Sequence, residues 1–212
     1  MSASETDDPN RKSRPQKPAG ADRRPQIIAA AWRVICRDGV SAASLRTIAS
    51  EMDATTGLVT RYFPEKQALL LAALDEAGQR LCRVVKDAGA SHTKMAQVEA
   101  VMLAALPGSP ENQAAWRVWL AFIGELAHAP ELARAHGVFP GALRQTLILG
   151  LREAQLAGQI AKNTYPPQLA DMAQNQIIGL AVRGVSESTR YSAERLPGLM
   201  APFFARFVDR PD

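Results

Sequence analysis

The stretch Ser44-Leu45-Arg46-Thr47-Ile48-Ala49-Ser50-Glu51-Met52-Asp53-Ala54-Thr55-Thr56-Gly57-Leu58-Val59-Thr60-Arg61-Tyr62-Phe63-Pro64-Glu65-Lys66 decides the fold class of this chain. Ser44 is an N-cap candidate, and Leu45, Ile48, Ala49 and Met52 line one face of a helix of about two turns. Asp53-Ala54 supplies a tight turn. Thr55 or Thr56 caps a second short helix, polar and Thr-rich, which Pro64 ends. Two short helices across a tight turn are a helix-turn-helix, so double-stranded DNA is the first partner to expect.

Reading upstream, Asp22 is an N-cap candidate, and Pro25 is tolerated in a first helical turn. Ile27, Ile28, Ala31, Val34 and Ile35 form an apolar stripe, and Gly39 ends that helix as a C′ glycine. Residues 1–22 carry almost no large apolar side chains, so they cannot bury enough surface to offset the entropy of ordering. They are expected to form a disordered arm. Its run Arg11-Lys12-Ser13-Arg14-Pro15-Gln16-Lys17 is either a solvated tail or a strand of charge along DNA.

Reading downstream, Pro64-Glu65-Lys66 opens a long helix with Leu69, Leu70, Ala73, Leu74, Leu81 and Val85 as its stripe. Breakers at Gly89, Pro107-Gly108, Pro110, Pro130, Pro140-Gly141, Gly158, Pro166-Pro167 and Pro197 divide the remainder into about five further helices. No sustained period-2 alternation and no hairpin signal appears. The expectation is an all-α chain of about nine helices. It comprises the arm 1–22, a helix-turn-helix domain 23–68, and a helical ligand-binding and dimerisation domain 69–212.

Charge supports a polyanion partner. Residues 9–66 hold 11 Lys and Arg against 5 acids, a balance of +6, whereas residues 67–212 hold 14 against 13. The positive field therefore lies on the helix-turn-helix segment. Cys36 and Cys82 sit in apolar helical patterns and read as reduced, packed thiols of a cytoplasmic protein. The polar N-terminus shows no signal-peptide core, and no apolar run approaches a membrane span.

A recognition helix needs short polar side chains near base edges and bulky anchors beneath. Thr55 and Thr56 supply hydroxyls and methyls, and Gly57 leaves room for close approach. Leu58 and Thr60 point away from Val59, the expected anchor. Arg61, Tyr62 and Lys66 are placed to hold phosphates. Ser44 and Arg46 open the preceding helix and can do the same, and Arg46 can also reach a base. Residues 24–70 resemble the DNA-binding domain of the TetR family of transcriptional regulators. Ile48-Ala49 meets that family's helix 2 pattern, and Gly57, Val59, Tyr62, Phe63 and Lys66 meet its recognition-helix motif. Thr60 stands where the family has an aromatic, as in the choline-responsive BetI-type branch. Asn175-Gln176-Ile177-Ile178-Gly179-Leu180-Ala181-Val182-Arg183 is similar to that branch's penultimate helix.

The resemblance implies a homodimer whose last two long helices form a four-helix interface. Ile177, Ile178, Leu180, Ala181 and Val185, then Leu199, Phe203 and Phe207, are its candidate residues. Gly179 and Gly184 would let helices approach. Burial within one subunit is the alternative for the same apolar stripe.

In the segment Trp116–Glu125, Trp116, Trp119 and Phe122 recur at i, i+3 and i+6, with Glu125 three residues on. Aromatic faces plus a carboxylate suit a small cationic effector; an ordinary core helix with Glu125 at its exposed edge is the alternative. Glu125-x-x-His128 lacks the second copy that a di-iron site needs, so no metal is expected. His128 and His136 are expected to flank a loop near Pro130. No phosphate loop, paired-Cys motif or nucleophile motif appears, so neither an enzyme nor a cofactor is expected. The favoured expectation is a ligand-responsive dimeric repressor of a pseudopalindromic operator. A regulator without an effector and a helical protein-interaction module remain the alternatives.

Overall fold

The computed structural model describes residues 22–208, with side chains described as far as Ala205. The basic arm, apart from Asp22, and the Phe207 side chain lie outside the described residues. Nine α-helices and one 3₁₀ turn make up the described residues, which contain no strand.

Helices α1 (Arg24–Asp38), α2 (Leu45–Glu51) and α3 (Thr56–Tyr62) form the N-terminal head. Asp22 Oδ1 accepts from the Arg24 amide, and Pro25 occupies the first turn, where no amide is needed. Gly39 ends α1 at φ 84°, returning its N–H to the Ile35 carbonyl. Ser44 caps α2 by accepting from the Thr47 amide, and Thr55 caps α3 by accepting from the Leu58 amide. Between them Asp53 takes φ 51°, a left-handed conformation that Asp tolerates better than most residues. Ile27, Val34, Ile48, Val59 and Phe63 close the head's core.

Helix α4 (Lys66–Ala90), about 37 Å long at 1.5 Å per residue, runs from the head into the body. It packs against α5 (Lys94–Ala105), α6 (Pro110–Ala121) and α7 (Pro130–Leu156). Helices α8 (Pro166–Ser186) and α9 (Leu196–Val208) complete the body, and a 3₁₀ turn, Ile123–Glu125, follows α6.

Gly89 marks the end of α4, whose last residue is Ala90, and also a close crossing: a Cβ there would meet Thr146 Cγ2 at 3.3 Å and Val101 Cγ2 at 3.5 Å. One expected break does not occur. Pro140-Gly141 lies inside α7, which runs unbroken for 27 residues. A proline in a helix interior removes one amide donor and is tolerated when packing outweighs that loss. Phe139, Leu143 and Leu147 are fully buried here. Pro110, Pro130 and Pro166 open α6, α7 and α8, and Gly158 closes α7 at φ 73°.

Candidate nucleic-acid interface and helical body

In the head, Val59 and Phe63 are buried, while Thr55, Thr56, Gly57, Thr60, Arg61, Lys66 and Arg46 are exposed. Ser44, Leu58 and Tyr62 are half-buried. The exposed residues thus occupy the outer side of α3 and both of its ends. Several of their polar atoms already serve the fold. The Ser44 hydroxyl accepts from the Thr47 amide at 3.0 Å and is paired with the Thr47 hydroxyl at 2.7 Å. The Thr55 oxygen accepts from the Leu58 amide at 3.3 Å, and the Thr60 hydroxyl donates to the Thr56 carbonyl at 2.9 Å. Lys66 Nζ donates to the Ser41 carbonyl at 3.2 Å, tying α4 to the loop before α2. Arg46 and Arg61 have no ion pair among the described residues.

Gly57 stands apart. A Cβ there would meet only Thr55 Oγ1, at 4.0 Å, and its backbone is ordinarily helical. Nothing among the described residues requires glycine there, although glycine costs a helix roughly 0.5–1 kcal/mol relative to alanine. The space above Gly57 is kept open toward the outside.

The head is held rigid from behind. Glu51 on α2 accepts from Arg33 at 2.7 Å and Arg37 at 2.9 Å, both on α1. Those hydrogen bonds keep its carboxyl below the usual glutamate range. Arg24 lies over the Phe63 ring, 4.4 Å from its centroid. Trp32 on α1 donates its indole N–H to the Ala73 carbonyl on α4 at 3.0 Å. The sequence reading missed this bracing, because each partner is 14 to 41 positions away in the chain.

In the body, Trp116, Trp119 and Phe122 are all buried, but Glu125 is exposed on the 3₁₀ turn. The chain leaves α-helical geometry at Phe122, so helical spacing does not carry Glu125 onto the aromatic face. The rings cluster instead with α7. Trp116 meets Phe139 edge-on at 5.4 Å, and Trp119 stacks on His136 at 3.6 Å. His136 does not flank a loop: it is buried within α7, because Pro130 begins that helix rather than bordering a gap. Burial pushes its imidazole below the ordinary histidine value, a hydrogen bond to the Trp119 backbone offsets part of this, and Nε2 has no partner. Both indole N–H groups are engaged, Trp116 with the Ala105 carbonyl at 2.8 Å and Trp119 with the His136 carbonyl at 3.2 Å. His136 and Phe139 left no local sequence signal, because they reach the cluster from another helix.

The dimer candidates divide. Ile177, Leu180 and Ala181 are buried within the chain, facing its own helices, and only Ile178, Val185, Leu199 and Phe203 keep exposed surface. The stripe had two possible destinations, and α8 spends most of it on its own subunit. A Cβ on Gly184 would meet Pro107 Cγ at 3.0 Å, so that glycine serves an internal contact. Gly179 has nothing within 4 Å and lies on the open face of α8 with the exposed Met172 and Val182.

Comparison with known proteins gives two family matches. Residues 27–73 match the model for bacterial regulatory proteins of the tetR family, and residues 94–209 match the BetI-type transcriptional repressor C-terminal domain. The chain is 28% identical over 177 residues to the transcriptional regulator PksA of Bacillus subtilis, covering 82% of this chain and 84% of that protein. It is 36% identical over 124 residues to the regulator BetI of Stenotrophomonas maltophilia, covering 57% of this chain and 62% of that one. The fold is shared with a putative transcriptional regulator from Saccharomonospora viridis, solved in complex with choline. That likeness has a TM-score of 0.75 at 22% identity and covers 88% of this chain and 98% of that one.

Proposed function

The chain belongs to the TetR family of bacterial transcriptional regulators, and on that premise we propose that it is a dimeric repressor of a pseudopalindromic operator, released by a small-molecule effector. Membership makes it a DNA-binding regulator with a helix-turn-helix head. The observation that carries the proposed mode of DNA contact is Gly57, a helical glycine that no contact among the described residues requires. A groove wall approaching the N-terminus of α3 accounts for it.

In this reading Thr55, Thr56, Leu58, Thr60 and Arg46 read base edges. Ser44, Arg61, Tyr62 and Lys66 hold phosphates. The Thr55 oxygen accepts within the head and keeps its O–H to donate, the Thr60 hydroxyl donates within α3 and keeps its lone pairs to accept, and both present methyl groups that suit thymine methyls. Residues 23–68 act as the reading head and 69–212 as the sensing and pairing body, with α4 linking them. The open face of α8, centred on Gly179, pairs with a second copy, together with Leu199 and Phe203 on α9. Two-fold symmetry sets the two α3 helices about one DNA turn apart, ~34–36 Å. The protein acts in the cytoplasm, where its operator is. In support, no helix among the described residues is long and apolar enough to cross a membrane.

The effector is proposed to be a small organic cation held by Trp116, Trp119 and Phe122, with Glu125 as counter-charge. The choline-bound Saccharomonospora viridis regulator supports this class. Since the rings are buried here and Glu125 is outside them, the cation would favour a second conformer in which the end of α6 opens. A ligand shifts such an equilibrium only by its differential affinity for the two states. Choline and tetramethylammonium are expected to raise the melting temperature; a rise with neutral aromatics alone overturns the cation reading. Selection of bound DNA from random sequence is expected to return paired half-sites with steep salt dependence. A lack of enrichment overturns operator reading, and single half-sites overturn the dimer.

A further inference from the structure

Helices α1 and α6 diverge around a groove of 440 Å³. Trp32, Arg33 and Cys36 of α1 form one wall, and Pro110, Ala114 and Arg117 of α6 form the other. The volume lies within the roughly 300–1,000 Å³ common for small-ligand sites.

The charges of the groove are unbalanced. Two guanidinium groups line it, and no carboxylate among the described residues does. Arg33 is already paired with Glu51 at 2.7 Å. Arg117 is exposed and has no ion pair among the described residues. The Cys36 thiol lies 3.9 Å from the Ala114 carbonyl, so the two walls come together beside these residues. The result is an apolar slot with one uncompensated cation. A flat ring complements the slot, and a carboxylate complements Arg117, whose planar fork can take both carboxylate oxygens.

We infer that this groove binds a small aromatic carboxylate, with its carboxylate on Arg117 and its ring against Trp32, Cys36 and Ala114. The site is separate from the aromatic cluster of the body and takes a ligand of opposite charge. Its walls belong to different parts of the molecule, α1 to the head and α6 to the body. An occupant therefore ties the head to the body at a second place, beside the Trp32–Ala73 link.

Cys36 reports occupancy directly. In a Cys82→Ser background it is the single remaining thiol. Its alkylation by iodoacetamide at alkaline pH is followed by mass spectrometry with 2-naphthoate, or with neutral 2-naphthamide, present. The expected result is several-fold slowing by 2-naphthoate, none by 2-naphthamide, and loss of protection in Arg117→Gln. If Cys82→Ser does not fold, peptide mapping of the wild-type protein separates the two thiols. Absence of protection, equal protection by the amide, or protection that persists in Arg117→Gln overturns the site. Operator affinity measured at the same naphthoate concentration is expected to shift in the wild type and not in Arg117→Gln. An unchanged wild-type affinity overturns the link between head and body. Neither result depends on whether cations bind elsewhere.

Discussion

The indole N–H of Trp119 on α6 donates to the backbone carbonyl of His136, the one carbonyl in α7 that Pro140 cannot serve. In an uninterrupted helix the amide of residue 140 would donate to the carbonyl of residue 136. Proline has no such amide, and the indole from the neighbouring helix takes its place at 3.2 Å. The same indole stacks on the His136 ring. One side chain thus repairs the interruption in α7 and docks α6 against it.

This relationship predicts non-additivity. Trp119→Phe leaves the His136 carbonyl buried and unpaired, a cost of about 1–3 kcal/mol beyond the lost packing. In a Pro140→Ala background the restored amide serves that carbonyl, so Trp119→Phe should cost clearly less. Urea denaturation of the four proteins measures the coupling. Equal costs in both backgrounds would refute the repair.

His136 predicts a pH dependence. Its folded-state affinity for a proton is lowered, chiefly by burial, below that of the unfolded chain. Above the ordinary value of 6.5 both states are neutral and the group contributes no pH dependence. As the pH falls below 6.5 the unfolded chain takes up the proton first, and stability is lost. His136→Phe keeps an aromatic ring on Trp119 and removes this loss. Between pH 8 and pH 5.5 the melting temperature of the wild type should fall further than that of the variant, and equal falls would refute the assignment.

Two glycines predict opposite outcomes. A Cβ on Gly150 would lie 2.8 Å from Gln97 Oε1 and 3.0 Å from Val98 Cγ2, so Gly150→Ala displaces the end of the Gln97 side chain and crowds Val98. Overpacking of this kind costs about 1–3 kcal/mol. Gly179→Ala meets nothing among the described residues and should favour α8 by roughly 0.5–1 kcal/mol. If α8 pairs with a second copy, that same methyl group weakens the dimer. Sedimentation across a concentration series reads the dimer, and an unchanged dissociation constant places the interface elsewhere.

Lys66 and Thr56 separate grip from reading. Lys66→Ala should weaken all operators about equally and lower the salt slope by about 1. Thr56→Ala should change the preferred sequence while leaving stability intact, since the Thr56 side chain is exposed and only its carbonyl is used. Binding measured on a panel of single-base operator variants tests both. Equal sequence-selective effects would mean the roles are wrongly assigned.

Local chemistry made the head legible. Ser44, Thr55, Gly39 and Asp53 act on neighbours within a few residues, so their caps and turns could be read from the chain. The exposed set on α3 followed from a single anchor, Val59. The body was less legible, because a proline or glycine marks only a local preference. Whether Pro140 breaks α7 depends on Trp119, which lies on another helix. The aromatic spacing of α6 showed that its rings share a face. It did not show that α7 would close over them, nor that the helix would end before Glu125.

By itself the sequence determined the all-helical class, the helix-turn-helix, its caps and its charge, because these rest on interactions between residues close in the chain. Only the tertiary structure decided which apolar stripe is spent internally, where His136 goes, and that a cationic groove opens between α1 and α6. Those outcomes depend on how helices far apart in sequence meet, and packing energies of many residues outweigh any single local preference.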